Sequence, residues 1–242
     1  MKRFALVCGA SGEIGASICQ QLAQDGWSLY VHYNGGVERA SKLVTLLQGT
    51  YPEQEFMTVQ ADFSAEDGAD RLASQIFSLQ AVIFASGQAY NALLEDTPVN
   101  VMDALWRVHV QNPMRLLALV SSKLRQQQRA YVVFISSIWG ATGAASETVY
   151  SAVKGAQISF VKAYAKEVAY NGIRVNAVAP GFVDTAMNAM LDREARDYIA
   201  EEIPLQTFAK PNDIAGSVSF LVNGQADYMT GQVLHVNGGW FI

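Results

Sequence analysis

Cysteine is scarce in this chain of 242 residues, which has only Cys8 and Cys19. Two cysteines do not make a disulfide framework, so we expect a reducing compartment and place the protein in the cytoplasm. The start Met1-Lys2-Arg3 leads directly into an apolar stretch with no signal-peptide pattern. No apolar run approaches the roughly 18 residues that a membrane helix needs, so no membrane partner is expected.

Positive charge is also limited, because 17 Lys and Arg residues face 22 Asp and Glu residues, for a net charge of -5. This balance argues against nucleic acid as a partner. The histidines His32, His109 and His235 have no ligand spacing, so no metal is predicted. No linker, low-complexity segment or repeat divides residues 1–242, and we therefore expect a single dinucleotide-binding catalytic domain.

Apolar runs alternate with helical patterns along the chain. The predicted strands are Phe4–Val7, Ser28–His32, Phe56–Gln60, Ala81–Ala85, Ala130–Ile135, Arg174–Val178 and Gln232–Val236. The predicted helices lie near Ile14–Asp25, Val37–Leu47, Gly68–Ile76, Val101–Leu124, Tyr150–Tyr170 and Pro211–Val222. This alternation predicts an α/β fold, a Rossmann-type doubly wound parallel sheet of about seven strands with helices on both faces. Ligands of such sheets bind at the carboxyl ends of the strands.

Tyr150 and Lys154 are four residues apart in a predicted helix, with Ser137 thirteen residues upstream. Positions i and i+4 share a helix face. A free phenol has a pKa of about 10, and a nearby cation lowers it. We therefore expect Lys154 to lower the pKa of Tyr150 and make it a proton donor. Taken alone, the same spacing also fits an ordinary pair on a helix surface.

A glycine-rich turn, Gly9-Ala10-Ser11-Gly12-Glu13-Ile14-Gly15, follows the first predicted strand and opens a helix. Glycines let the backbone approach a pyrophosphate, and the helix N-terminus offers free N–H groups to it. Strand, turn and helix are the context that a dinucleotide fingerprint requires. A tight turn without a ligand is the alternative.

Together these motifs and the segment Pro180-Gly181 resemble the short-chain dehydrogenases/reductases, from Leu6 to the end of the chain. The resemblance implies that Tyr150 protonates a ketone oxygen, that Ser137 hydrogen-bonds it and that Lys154 holds the nicotinamide ribose. It also implies a homotetramer, and the end Trp240-Phe241-Ile242 is apolar enough to be buried in a subunit contact. The implied cofactor-binding residues are Gly9, Ser11, Gly12, Ile14, Gly15, Asn34, Arg39, Asp62, Ser86, Gly87, Tyr150, Lys154, Pro180, Gly181, Val183 and Thr185.

Three departures from the family pattern concern the cofactor and the proton relay. Glu13 replaces a glycine of the turn, and we expect its charge to repel a pyrophosphate. The segment Phe84–Gly87 replaces the usual Asn-Asn-Ala-Gly. His109 stands where the family usually has a relay asparagine. As a catalytic residue it would hold a water or titrate in its own right; the alternative is a buried histidine with a backbone partner.

The end of the second predicted strand bears on cofactor choice. NAD-preferring folds usually place an acidic residue there, on the ribose 2′-OH. This chain has His32-Tyr33-Asn34 instead, with no acid until Glu38. Arg39 is close enough in sequence to pair with a 2′-phosphate; a solvated helix residue is the alternative. We therefore predict NADPH rather than NADH.

The substrate is predicted to be a ketone carried on a protein. Trp139 and Glu147 border the predicted catalytic residues, and a carboxylate attracts a cationic substrate. The stretch Ser136–Gly140 with Glu147 is similar to elongation factor P 5-aminopentanone reductases, whose substrate ends in an ammonium. The alternatives are a 3-oxoacyl-[acyl-carrier-protein] reductase and, from a different class, a dinucleotide-binding regulator without turnover. An exposed loop carboxylate is the other interpretation of Glu147.

Overall fold

A single parallel sheet organises the molecule. The computed structural model describes residues 2–186 and 191–242, and within these ranges seven strands pair in the order β3-β2-β1-β4-β5-β6-β7. Every pair is parallel. The strands are β1 (Phe4–Cys8), β2 (Ser28–Tyr33), β3 (Phe56–Gln60), β4 (Ala81–Phe84), β5 (Ala130–Ile135), β6 (Ile173–Pro180) and β7 (Val233–Val236). The predicted fold class is confirmed, with β6 longer than the predicted Arg174–Val178.

Helices cover both faces of the sheet. Those of the described residues are α1 (Glu13–Gln24), α2 (Val37–Thr50), α3 (Gly68–Ala73), α4 (Val99–Trp106), α5 (Asn112–Arg125), α6 (Trp139–Thr142), α7 (Thr148–Val168), α8 (Arg193–Glu202) and α9 (Pro211–Val222). Short 3₁₀ turns lie at Leu94–Asp96 and Ala169–Asn171. No helix in the described parts of the chain is long and apolar enough to cross a membrane.

Three helical segments differ from the sequence prediction, one of them the short α6, which was not predicted. The predicted helix Val101–Leu124 is interrupted by a π-helical segment, Arg107–Gln111, between α4 and α5. The helix α8 was not predicted from the sequence, in which charged residues make up most of Arg193–Glu202. A polar cap holds its start, where the Asp192 side chain accepts a hydrogen bond from the Ala195 N–H at 2.8 Å.

Alternate strand residues point to two cores, one on each face of the sheet. On one face Val7, Val31 and Val133 pack with apolar residues of α1, α2 and α9. On the other face Leu6 and Phe134 pack with residues of α3, α5 and α7. Strands buried on both faces are typical of parallel sheets. The carboxyl ends of β1, β4, β5 and β6 consequently meet along one edge of a rigid sheet.

Candidate active site

Ser137, Tyr150 and Lys154 meet at the carboxyl end of β5. Ser137 follows that strand, and its hydroxyl interacts with the phenol of Tyr150 on α7. The Lys154 ammonium lies 5.5 Å from the centre of the Tyr150 ring and donates a hydrogen bond to the Ile135 carbonyl at 2.8 Å. The side chains of Ser137 and Lys154 are buried. The structure thus brings together the three residues that the sequence predicted.

The pKa of Tyr150 differs from the sequence expectation. Burial raises it well above its usual value of 10, the charge of Glu147 adds to this rise, and the Ser137 hydrogen bond opposes it. Burial also lowers the pKa of Lys154 from 10.5 to about 7. In the chain without cofactor the pKa of the phenol is therefore shifted upward, opposite to the lowering expected from the sequence, because desolvation dominates. The phenol remains protonated at neutral pH.

His109 lies in the π-helical segment and faces the phenol. Its ring meets that of Tyr150 edge-on, with centres 5.7 Å apart. Its Nε2 lies 2.9 Å from the Gln88 carbonyl oxygen, whereas its buried Nδ1 has no hydrogen-bond partner among the described residues. Burial, followed by the Lys154 charge, lowers the pKa of His109 to about 3. The lowered pKa disfavours titration of His109 at neutral pH, and the contact of its Nε2 with the Gln88 main chain fits the alternative of a buried histidine with a backbone partner.

A cleft of about 460 Å³ opens beside these residues, along the ends of β1, β2, β3 and β4. Eleven of the predicted cofactor residues line it, namely Gly9, Ser11, Gly12, Ile14, Gly15, Asn34, Arg39, Asp62, Ser86, Gly87 and Thr185. Sequence reasoning did not assign His32, Phe63, Ala85, Gln88, Val108 or Ala186 to the cleft, although each of them lines it. The other five predicted cofactor residues lie outside this lining, namely Tyr150 and Lys154 on α7 and Pro180, Gly181 and Val183 on and after β6.

The glycine turn of the cleft has the shape that a dinucleotide phosphate needs. Gly9 has a φ of +79°, and a Cβ on it would lie 2.5 Å from the Ser86 backbone. A Cβ on Gly15 would collide with the Gly9 carbonyl. α1 begins directly after Gly12, and no side chain caps its first N–H groups. The Ser86 hydroxyl is buried without a partner among the described residues. These free donors fit a pyrophosphate.

The β2 end of the cleft carries a cation. Around Gly36, at the start of α2, lie the Ser11 hydroxyl and the Arg39 guanidinium, 2.8 Å and 3.3 Å from where a Cβ would stand. Asn34 lines the cleft next to them. Hydroxyl, amide and guanidinium are donors suited to a phosphate.

Two carboxylates also line the cleft, and each has a defined partner. Asp62 accepts hydrogen bonds from the Ser64 N–H at 2.8 Å and the Ser64 hydroxyl at 2.7 Å. Glu13 accepts one from the Ala186 N–H at 2.7 Å, which joins the start of α1 to the segment after β6. Glu13 therefore has a structural role at the mouth of the cleft that the sequence did not indicate.

The segment after β6 is fixed by main-chain bonds. The Gly181 N–H donates to the Val236 carbonyl at 3.0 Å, and a Cβ on Gly181 would lie 2.9 Å from Asn237. Val183 pairs with Ala209 in an isolated parallel bridge. These contacts bring Thr185 to the cleft.

On the other side of Ser137, aromatic side chains form a wall. The Trp139 N–H donates to the Ser137 hydroxyl at 3.2 Å, and the Trp139 ring meets Trp240 edge-on, with centres 5.2 Å apart. Glu147 is half-buried at the start of α7, and burial raises the pKa of its carboxyl. From the sequence, Trp240 was assigned to a subunit contact. Its contact with Trp139 was not predicted, because two residues about a hundred positions apart leave no local pattern in the sequence.

Comparisons with known proteins agree with this geometry. A family model described as Enoyl-(Acyl carrier protein) reductase matches residues 9–241. The chain is 42% identical to "Uncharacterized oxidoreductase YmfI" of Bacillus subtilis, over 99% of both chains. It is 32% identical to the "3-oxoacyl-[acyl-carrier-protein] reductase FabG" of Staphylococcus epidermidis, over the full length of both. The chain therefore belongs to the short-chain dehydrogenase/reductase family, and it is an oxidoreductase.

Solved structures share the fold. A blue fluorescent protein from a metagenomic library, in complex with NADPH, superposes with a TM-score of 0.92 at 25% identity, over 99% of this chain and 98% of that one. The angucycline C-6 ketoreductase LanV with bound NADP superposes with a TM-score of 0.91 at 23% identity, over 98% and 95%. At 23% identity, the similarity to LanV concerns the fold alone.

Proposed function

We propose that this protein uses NADPH to reduce a ketone to a secondary alcohol, as one catalytic domain. The observation that carries the proposal is the meeting of Ser137, Tyr150 and Lys154 beside a glycine-lined cleft. Bound NADPH supplies the hydride. The NADPH complex of the metagenomic relative supports this cofactor. Residues of the glycine turn would hold the pyrophosphate, and Lys154 the nicotinamide ribose.

The chain's own groups handle the proton. The Ser137 hydroxyl donates a hydrogen bond to the ketone oxygen and fixes its direction. Tyr150 donates its phenol proton to that oxygen, and because its pKa is raised it starts in the protonated state that reduction requires. His109 cannot be the acid, since its pKa is lowered to about 3. Its unpartnered Nδ1 instead offers a hydrogen-bonding position for a water of the proton relay.

Arg39 would select NADPH over NADH through the 2′-phosphate. Arg39→Ala should reduce the ratio of kcat/KM for NADPH to that for NADH by about fivefold, the factor for an exposed ion pair of 1 kcal/mol. Arg39→Lys keeps the charge and should retain most of the preference. A ratio unchanged in Arg39→Ala would remove Arg39 from the cofactor site.

The substrate we favour is an aminoketone, the 5-aminopentanone group on a modified lysine of elongation factor P. Glu147 carries the argument, because a half-buried carboxylate close to Tyr150 would pair with an ammonium. An acyl chain on acyl carrier protein is the second candidate, supported by the staphylococcal relative. A regulator without turnover is less favoured, since it needs no buried acid. We also expect a homotetramer in the cytoplasm.

A paired assay tests these alternatives. Purified protein and NADPH are offered an acetoacetyl-carrier substrate and, separately, elongation factor P bearing the aminoketone. We expect faster oxidation of NADPH with the aminoketone, and a loss of about 10²–10⁴-fold in Tyr150→Phe. If, with both substrates, the wild-type protein oxidises NADPH no faster than Tyr150→Phe does, the reductase proposal is contradicted.

Glu147→Gln separates the two substrates. The variant should lose between a few-fold and a hundredfold in kcat/KM on the aminoketone, depending on how far the ion pair is desolvated. A neutral ketone of equal length is the control and should be nearly unaffected. Equal losses on both ketones would favour the acyl-carrier alternative.

A further inference from the structure

His32 occupies the junction of three loops beneath the cofactor cleft. It lies near the end of β2, and its side chain is buried. Its Nδ1 accepts a hydrogen bond from the Gly9 N–H at 3.0 Å, and its Nε2 lies 3.1 Å from the Ala61 carbonyl oxygen. Its main-chain carbonyl accepts from the Ala10 N–H at 2.8 Å. One residue therefore holds the first two amides of the glycine turn and the end of β3.

Only one form of the imidazole makes both ring contacts. The Gly9 N–H is a donor, so Nδ1 must be unprotonated, and the Ala61 carbonyl is an acceptor, so Nε2 must carry the proton. Burial favours this neutral form and lowers the pKa of His32 to about 4, against the opposing Ala61 carbonyl and Asp62 charge. The ring also stacks on Phe63 with centres 5.0 Å apart. Protonation state, tautomer and ring plane are thus all fixed.

The groups that His32 connects lie on opposite sides of the proposed adenosine-phosphate site. Gly9 starts the turn that would bind the pyrophosphate, and it packs so near to Ser86 that a Cβ on it would lie 2.5 Å from the Ser86 backbone. Asp62, beside the carbonyl that His32 contacts, lines the cleft on the β3 side. Removing the ring acceptor would leave the Gly9 N–H without its hydrogen bond, which favours a shift of the turn.

We infer that His32 is a positioning residue for the dinucleotide, setting the distance between the glycine turn and the Asp62 loop without contacting the reacting atoms. The inference rests on the proposed function. It predicts that loss of the imidazole weakens cofactor binding and leaves the chemical step intact once the cofactor is saturating. A ring that only fills space would affect stability and not the affinity for NADPH.

The chain offers a matched control on the same strand. Ser28, at the opposite end of β2, is equally buried, and its hydroxyl accepts a hydrogen bond from the Glu55 N–H at 3.0 Å. Ser28→Ala therefore removes a comparable link between β2 and β3, far from the cleft. Its free energy of unfolding should fall, and its affinity for NADPH should not.

Three His32 variants separate the two ring contacts. Asn places an amide oxygen near the position of Nδ1 and keeps the Gly9 bond, whereas Gln extends toward the Ala61 carbonyl and gives up the Gly9 bond. Phe keeps the ring and loses both bonds. The Kd of NADPH is measured by fluorescence titration, and kcat and KM with a small ketone at saturating NADPH.

We expect the Kd of NADPH to rise about tenfold in His32→Phe, with kcat at saturating NADPH within about twofold of wild type. His32→Asn should recover most of the affinity, and His32→Gln should not. If His32→Phe does not fold, the comparison of Asn with Gln decides. A wild-type Kd in His32→Phe, an Asn variant no better than Gln, or an equal loss in Ser28→Ala would overturn the inference. Wild-type protein that does not bind NADPH would instead refute the proposed function itself.

Discussion

At the scale of single residues, Lys154 shows how the site trades stability for chemistry. Its ammonium is buried and donates to the Ile135 carbonyl, and burial lowers its pKa from 10.5 to about 7. A cation whose pKa falls on folding destabilises the folded state at any pH below its unfolded value. The residue to which we assign a role in the proposed reaction therefore destabilises the fold.

Lys154→Met should make the cofactor-free protein more stable and inactive. Each unit of pKa depression is worth about 1.4 kcal/mol, so we expect a gain of at least about 1 kcal/mol at pH 7, seen as a higher Tm. In the wild type the unfolded chain binds more protons between pH 7 and 10.5, so stability should rise with pH in that window, and this rise should be reduced in the variant. A lower Tm for Lys154→Met at pH 7 would contradict this.

The role assigned to Glu13 changes once its hydrogen-bond partner, the Ala186 N–H, is known. From sequence we expected its charge to repel a pyrophosphate, so that removing it would tighten binding. The carboxylate instead accepts the Ala186 N–H. Glu13→Gln keeps an acceptor and removes the charge, whereas Glu13→Ala removes both. The Gln variant should bind NADPH about two- to tenfold more tightly than the Ala variant, the range for one hydrogen bond. Equal affinities in fluorescence titrations would make the hydrogen bond irrelevant to the cofactor.

Local spacing made part of the site predictable. Tyr150 and Lys154 share a helix turn, and the glycine turn is one continuous segment, so both were found from sequence. His32, Gln157 and Trp240 were not, because their partners Gly9, His109 and Trp139 are distant in the chain. Such contacts depend on strand order and helix packing, which composition and periodicity do not specify.

At the scale of elements, the π-helical segment has an identifiable cause. Pro113 has no N–H, so the α-helical bond to the His109 carbonyl four residues earlier cannot form. The Gln157 side chain on α7 donates to that carbonyl at 2.8 Å instead. The π-helical segment contains His109, whose ring faces Tyr150. π-Helical segments of this kind are frequent at functional sites. A period of apolar residues running through 101–124 hid it from sequence.

Gln157→Leu should destabilise the protein and disturb this segment. The variant leaves the buried His109 carbonyl without its donor, so we expect a loss of about 1–3 kcal/mol in the free energy of unfolding. Thr148→Ala, on an exposed position of the same helix, serves as the control and should change stability little. Denaturant unfolding of both variants measures the difference. Equal stabilities would show that the carbonyl finds another donor.

At the scale of the whole molecule, strand order explains why distant segments serve one site. The chain adds strands on one side of β1, out to β3, and then on the other side, beginning with β4. The cleft lies at the carboxyl ends of β1 and β4, where this change of side occurs. Ligands of doubly wound sheets bind at such a switch point. The alternation of strands and helices was sufficient to predict that ligands bind at the carboxyl ends of the strands, but it did not predict the strand order. It also did not predict α8, a helix made mostly of charged residues.

NADPH should stabilise the whole fold more than NADH does. A ligand that binds only the folded state adds about 2.7 kcal/mol at a hundred times its Kd. Because Arg39 lies at the β2 end of the cleft, equal concentrations of the two cofactors should give a larger rise in Tm for NADPH. A larger shift with NADH would contradict the 2′-phosphate assignment.

The two cysteines give the molecule built-in reporters of local opening. Cys8 ends β1 beside the glycine turn, Cys19 lies on α1, and burial raises the pKa of both thiols. Neither thiol can react with an alkylating reagent until its segment separates from the sheet. The alkylation rate at each cysteine, resolved by mass spectrometry, therefore measures how often that segment opens. Cofactor binding at the turn should slow the modification of Cys8, so native alkylation records ligand occupancy without a substrate or a mutation.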